Sequence, residues 1–492
     1  MRPAQFLAAD FGAGSGRVML GTLVDGRLHL DELHRFPNHQ IRILGRIHWD
    51  LYELYRRLLE GLSRAVKRGI ERVEGIGVDT WGVDYGLVDA DGFLLDQPVC
   101  YRDSRTDGVM EDVFRRIPRE RIYEVTGIQF LQLNTLFQLC AAQRQSPASL
   151  AAAQRLLFMP DLFNYLLTGE AVTEPTIAST SQMFDARRRT WAIDLLESLG
   201  LPTRILPQIL PTGTRLGRLR SDVREETGLE ADVILAAGHD TACAVLAVPA
   251  RGENWAYLSS GTWSLLGVEC EEPVISPASA AHNFTNEAGY GGSVRFLKNI
   301  MGMWLLERCK AAWEAEDNRE LTYADLVEAA QSAPALRTVF DPDDPSLMNP
   351  PHMPEAIARL CRRGGQPVPE GRAEMVRAVF ESLALKYRQV LDQITTLQNR
   401  RPEVLHIVGG GSRNDFLNQL TADATGLTVV AGPAEATATG NILVQALSSG
   451  HLPSIEAARQ LVRDSFALRM FEPKAREGWD AKYEEFLAVV GS

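Results

Sequence analysis

Long hydrophobic runs, paired cysteines and spaced histidines are all missing from this chain. No apolar stretch is long and charge-free enough to span a bilayer. The six cysteines, Cys100, Cys140, Cys243, Cys270, Cys309 and Cys361, never stand in CxxC spacing, and the nine histidines contain no HxxxH pair. A disulfide framework or zinc site is therefore not expected, and reduced thiols are. Positive charge is in deficit, with 51 Lys and Arg against 63 Asp and Glu, a net charge of −12. That balance argues against nonspecific binding to nucleic acid or to an anionic membrane. It leaves room for a phosphorylated ligand, because such sites are built locally from backbone amides. Met1 to Gln5 lead straight into a strand-like segment with no signal-peptide pattern, so a cytoplasmic protein is expected.

What is present is enough apolar material for more than one core: 492 residues, 45% hydrophobic. Residues 5–10 read as a buried strand, Val18 to Leu23 as a second and Arg27 to Leu33 as a third, with Asp25-Gly26 as the hairpin turn. "WDLYELYRRLLEGLSRAVKRG" is an amphipathic helix capped by Asp50 and ended by Gly69. Gly75 to Asp79 reads as a fourth strand. The second half starts alike: "WAYLSSGTWSLLGVE" is strand, turn, strand, followed by an expected helix near 298–315 and a long one over about 371–397. "VLHIVGGGSRNDFLNQLTADATG" reads as strand, glycine turn and helix. "LTVVAG" is then a strand and "ATATGNILVQALSSG" a helix. The interruption at Pro249 and Gly252 suggests a division into 1–247 and 248–492, with a cleft between the two.

The glycines of "LAADFGAGSGRVML" raise the question of phosphate binding. A dinucleotide turn needs GxGxxG followed by a helix, but Arg17 stands at the last glycine position and a strand follows. A Walker loop needs a Gly-Lys-Ser/Thr run, and the lysine is absent. What remains is a glycine-rich hairpin whose amides can curl around phosphate oxygens. Asp10 beside it can hold Mg²⁺ through water; an ordinary tight turn with a solvated carboxylate is the alternative. The second hairpin offers Ser259, Ser260, Gly261 and Thr262, and Gly409, Gly410 and Gly411 leave a flat face suited to a base or ribose. Each of these also reads as a plain turn. Two hairpins opening the two halves suit a phosphate chain gripped in a cleft between them.

"ILAAGHDTACAVLAV" sets Gly238, His239, Asp240 and Thr241 between an apolar strand and a helix start. A carboxylate there is favoured as an anion and suits a general base for a hydroxyl; a simple N-cap is the alternative. Trp81 can stack on a sugar face beside Gly82, or sit in the core. Arg102 and Asp103 can bind a polyol, or form a surface ion pair.

The stretches "DFGAGSGRVML", "GVDTWGVDYGLVD", "YRDSRT", "GIQFLQLNTLFQL", "MPDLFNYLLTG", "GHDTACAV", "YLSSGTWSLLG", "LKNIMGMWLLER", "LHIVGGGSRNDFLNQLTADATG" and "GPAEATATGN" run in order through the chain. In them the sequence resembles the FGGY carbohydrate kinases. The resemblance implies an α/β protein of two ribonuclease-H-like domains, as in the actin and hexokinase superfamily, flanking a cleft. It implies ATP-dependent phosphorylation of a ketose, L-rhamnulose, at its 1-hydroxyl, with L-fuculose or D-xylulose as the alternative. The D-xylulose-specific subfamily carries a Met-His pair near the position of Trp81. Carried over by motif, Asp240 is the base, and Gly82, His239, Asp240, Thr241 and Asn299 contact the sugar. Ala13, Gly14, Ser15, Gly16, Arg17, Thr262, Glu307 and Gly410 contact ATP, and Asp10 holds Mg²⁺. Glu307 stands where the family pattern has Gln, and its charge is unwelcome near phosphates. Thr421 and Thr425 replace cysteines of some relatives, so no disulfide is expected there. A small-molecule sugar and ATP are the implied partners, with no nucleic acid or membrane, for a monomer or small homo-oligomer. Among ATP-binding proteins of that superfamily that do not turn over sugar, the cluster of Trp81, Arg102 and His239 has no counterpart.

Overall fold

The structure, a computed structural model, describes residues 3–474 and 476–491; Met1 and Arg2 lie outside them. The chain forms two compact units. The first gathers Met1–Pro249, Glu269–Phe296 and Ala436–Phe466, and the second Ala250–Val268, Leu297–Glu435 and Ala467–Ser492.

The first unit is built on a six-stranded sheet. The strands Ala4–Phe11, Ser15–Val24 and Arg27–Pro37 form the antiparallel meander read from the alternating pattern. On the other side of Ala4–Phe11 lie Gly75–Thr80, in parallel register, then Asp232–Ile234 and Arg215–Arg218. A parallel neighbour needs a crossover, and the helix Leu51–Lys67 supplies it. Asp50 caps that helix by accepting the Glu53 amide, a contact worth about 1 kcal/mol. Leu51, Leu54, Leu58, Leu59 and Leu62 are buried along one face, each contributing roughly 1.5–3 kcal/mol of apolar burial. One hairpin was not legible: Gln40–Ile43 pairs with Arg46–Trp49 around Leu44-Gly45. Leu44 adopts φ 49°, a conformation that a leucine does not advertise.

The second unit repeats the plan. Trp255–Ser260 pairs antiparallel with Trp263–Cys270 and parallel with Val404–Val408, which pairs parallel with Thr428–Ala431. The helices Gly371–Gln398, Asp415–Thr425 and Ala436–Ser448 form where the periodicity predicts them, although the last belongs to the first unit. The helix expected near 298–315 is corrected by the structure: Val294–Met301 is a strand and the helix is Trp304–Asp317. Gly302 separates them. A Cβ there would come within 2.7 Å of the Trp263 carbonyl carbon and 2.8 Å of the Ser264 amide, so the chain bends where only glycine lets two backbones meet. No described helix is long and apolar enough to cross a membrane.

Candidate active site

In the first unit, the ends of neighbouring strands bring three acids together. Asp10 and Asp79 are direct partners on parallel strands. Thr80 bridges to His239, with its amide bonded to the Gly238 carbonyl at 2.8 Å. Asp240 opens the helix Asp240–Leu246. Catalytic groups collect at the carboxyl ends of parallel strands because the chain leaves the sheet there and exposes backbone and loop side chains.

Each acid has a defined environment. Arg17, opposite Asp10 in register, donates from Nε and Nη2 to Asp10 Oδ2 at 2.9 and 2.7 Å. Asp79 is fully buried, and Asn441 Nδ2 donates to its Oδ2 at 2.6 Å. Gln445 bonds both Asn441 Oδ1 and the Leu7 carbonyl, which fixes the Asn441 amide. Asp79 Oδ1 is buried with no hydrogen-bond partner among the described residues. Burial, and then the charge of Asp10, push the Asp79 carboxyl well up, against the Asn441 bond. Burial also raises Asp240, with His239 opposing and Asp10 adding to the rise. Asp240 is nonetheless 30% exposed at its side chain, the access a base needs. The Thr241 amide and hydroxyl both donate to Asp240 Oδ1, at 2.6 and 3.2 Å.

The turn carrying His239 and Asp240 is held from behind by Glu174, which sequence reasoning missed. Its buried carboxylate accepts from the amides of Thr176, Ile177 and Gly238 and from the hydroxyls of Thr176 and Thr212. Five donors on one carboxylate make a rigid node. The Glu-Pro pair at the start of Pro175–Ala178 was the visible signal, since an acid before Pro caps a helix.

The glycine hairpin closes through Gly12 N to Ser15 O at 2.9 Å, and Asn38 pins it by bonding Gly12 O and Gly14 O. Gly14 and Ser15 are exposed and Ala13 half-buried. Gly16 is different: a Cβ there would meet the Phe36 ring at 2.4 Å, so it serves packing. Gly82 faces Thr180, whose hydroxyl bonds the Val83 amide. Val83 has φ 67°, a strain of roughly 1–3 kcal/mol for a β-branched residue. Thr135 and Gln138 hold its carbonyl in place. Trp81 is buried in the core, 4.2 Å from Trp49 and bonded to Asp84, so the core alternative holds for it. Asp103 is likewise internal, capping Ser104–Thr106 and accepting from Ile47 N. Arg102 lies over the Tyr101 ring.

In the second unit, Thr262 sits in the hairpin turn, where Met303 N bonds Gly261 O and Trp304 N bonds Thr262 O. That ties the turn to the helix carrying Glu307, and the Thr262 hydroxyl donates to Glu307 Oε1 at 3.4 Å. Gly410 is exposed, with nothing near the place of a Cβ. Gly409 and Gly411 instead lie against Ser260, which is buried beneath them. Asn299 lies on the strand Val294–Met301 rather than on a helix. The end of that strand is anchored by Asp343, which accepts the Met301 amide and pairs with Lys386. Burial, with Lys386 adding to it, lowers Lys298 beside Asn299 to about 8.

The order of these motifs along the chain agrees with family models. A model of the N-terminal domain of the FGGY family of carbohydrate kinases matches residues 5–247, and one of its C-terminal domain matches residues 256–449. The chain belongs to the FGGY family of carbohydrate kinases. It is therefore a sugar kinase that uses ATP, with the family's two-domain α/β fold. The rhamnulokinase of Bacteroides thetaiotaomicron is 48% identical over 486 residues, covering 99% of both chains. The rhamnulokinase of Bacillus subtilis is 38% identical, covering 95% of both. Among solved structures, ligand-bound xylulose kinase from Lactobacillus acidophilus superposes with a TM-score of 0.82 at 17% identity, covering 99% of this chain and 97% of that one. Plasmodium falciparum glycerol kinase with ADP gives 0.80 at 17% identity, covering 99% and 98%. These two show the fold alone.

For this FGGY kinase, hard oxygen donors at Asp10 and Asp79, one of them with an orphaned buried oxygen, fit Mg²⁺. That ion takes one or two carboxylates and keeps waters and substrate phosphates for the rest. No cluster of three metal-ligating side chains occurs among the described residues.

Proposed function

We propose that this kinase transfers the γ-phosphoryl group of ATP to the 1-hydroxyl of L-rhamnulose, giving L-rhamnulose 1-phosphate and ADP, as a step of L-rhamnose breakdown in the cytoplasm. The observation that carries the chemistry is the Gly238-His239-Asp240 turn, with a half-open carboxylate held beside Asp10. The choice of sugar rests on the similarity to rhamnulokinases over nearly the whole chain. L-fuculose or D-xylulose is the second reading.

Phosphoryl transfer needs positioning and charge neutralisation more than covalent help. Asp240 accepts the proton of the attacking hydroxyl, and Thr241, by bonding its other oxygen, keeps the carboxylate from rotating. His239, Thr241 and Gly82 line the sugar, Gly82 by letting it approach backbone; Asn299 contributes a further amide. Ala13, Gly14 and Ser15 present backbone amides to phosphate oxygens, Gly16 packs the base of that hairpin against Phe36, and Arg17 braces Asp10 beside it. Thr262 and Gly410 meet the nucleotide. Glu307 acts here through the Thr262 hydroxyl. Mg²⁺, held through Asp10, neutralises phosphate charge when bound. The oligomeric form we expect is a monomer or small homo-oligomer.

The test is ADP release with Mg-ATP across L-rhamnulose, L-fuculose, D-xylulose and L-ribulose. Turnover confined to L-rhamnulose is expected, and equal turnover of D-xylulose overturns the substrate. Asp240→Asn, with an unchanged circular-dichroism spectrum, loses about 10²–10⁴-fold in kcat; near-normal activity removes the base.

A further inference from the structure

His239 is more than a neighbour of the proposed base, because its far side is built. The strand Thr285–Ala288 carries Glu287, the strand Val294–Met301 carries Arg295, and the turn Tyr290–Gly292 joins them. Both side chains converge on His239 Nδ1, Arg295 Nη2 at 3.1 Å and Glu287 Oε2 at 3.2 Å. They also pair with each other at 3.1 Å. Arg295 is fully buried and its Nε bonds the Ala288 carbonyl. On the opposite side of the imidazole, Nε2 faces Asp240 Oδ1 at 3.4 Å.

The hairpin has no freedom to drift. Asn286 bonds Gly127, the Ala288 amide bonds Ser179 Oγ, and Tyr123 bonds the Phe284 carbonyl. A buried guanidinium with a fixed carboxylate partner is a costly arrangement to keep for stability alone. Nδ1 has two ways to be satisfied here: accepting an Arg295 N–H, in which case it cannot itself carry a proton, or donating to Glu287 Oε2.

We propose that Arg295 and Glu287 are positioning residues that fix the tautomer of His239. Arg295 donates to Nδ1, so the imidazole proton sits on Nε2 and points at Asp240 Oδ1. Glu287 balances the guanidinium charge, which would otherwise act on the site. With His239 Nε2–H and the amide and hydroxyl of Thr241 all directed at Oδ1, Oδ2 is the oxygen of Asp240 left to take the substrate proton. The inference rests on Asp240 as the base.

The test uses full-length enzyme labelled with ¹⁵N-histidine, the His239 signals being those lost in His239→Asn. Wild type is expected to show the Nε2-protonated neutral ring. Arg295→Met should give averaged tautomers and lower kcat at least tenfold, with KM for ATP within twofold. Arg295→Lys should restore the Nε2–H signal and part of kcat, and Glu287→Gln should lower kcat less than Arg295→Met. A wild-type Nδ1-protonated ring overturns the proposal. So does an Arg295→Met enzyme with the wild-type signal, whatever its rate. If Asp240→Asn keeps its turnover, the reading of the base fails instead, and the two failures stay distinct.

Discussion

Asp84 shows how one buried carboxylate organises a region that looks, in sequence, like a sugar pocket. Its Oδ2 accepts from the indoles of Trp49 and Trp81 and from the Tyr101 amide, and its Oδ1 from Gln138. These four donors explain why Trp81 faces inward: its N–H needs a partner when the ring is buried. Burial still dominates and raises Asp84 from 3.8 to about 6, with the donors pulling the other way. The folded state therefore keeps a proton that the unfolded chain gives up near 3.8. Folding takes up that proton in between, so stability falls as pH rises from about 4 to about 6, by up to about 3 kcal/mol for this group. Asp84→Asn cannot ionise, so its urea midpoint should change less with pH than that of wild type across that window. Parallel pH curves for the two proteins would contradict this.

At the scale of elements, the proposed base depends on two packed helices whose backbones come closest at Gly440. A Cβ on Gly440 would lie 1.8 Å from the Cys243 carbonyl oxygen and 2.4 Å from its carbon. The helix Ala436–Ser448, carrying Asn441, thus crosses Asp240–Leu246 backbone to backbone. Gly440→Ala must push the two apart, at a cost of at least about 1–3 kcal/mol. It should move Asn441 from Asp79 and Asp240 from the hairpin together. The expected result is a lower thermal midpoint and a kcat loss larger than any change in KM. A melt and turnover matching wild type would show that the crossing is looser. The helix boundary at Trp304 teaches the same lesson: the apolar periodicity through 298–315 was visible, but the strand that precedes Gly302 is set by the hairpin it packs against.

At the scale of the whole molecule, the first unit is discontinuous. Residues 269–296 bring Glu287 and Arg295, and 436–466 bring Asn441 and Gln445, the latter bonded to the Leu7 carbonyl of the first strand. A fragment of residues 1–247 lacks both pieces and exposes the apolar face they cover, including the side of Gly21 where Ile442 packs. It should be poorly soluble and lack a cooperative melt, judged by circular dichroism and sedimentation. A fragment with a sharp transition would mean that the distant segments add little.

The sequence by itself marked the opening meander, the strand–turn–strand at 255–269, the helices Leu51–Lys67, Gly371–Gln398, Asp415–Thr425 and Ala436–Ser448, and the family resemblance, because periodicity, caps and turn residues are local signals. It also separated the glycine hairpin from a dinucleotide or Walker loop, since the strand after Arg17 is written in consecutive residues. Only the tertiary structure decided which residues share a site. Asp79 meets Asp10 through parallel register, Arg17 is spent on Asp10, and Glu174, Glu287 and Arg295 reach the Gly-His-Asp turn from about 50 to 65 residues away. Such contacts depend on strand order and on buried charge finding its partner, and neither leaves a periodic trace in the chain.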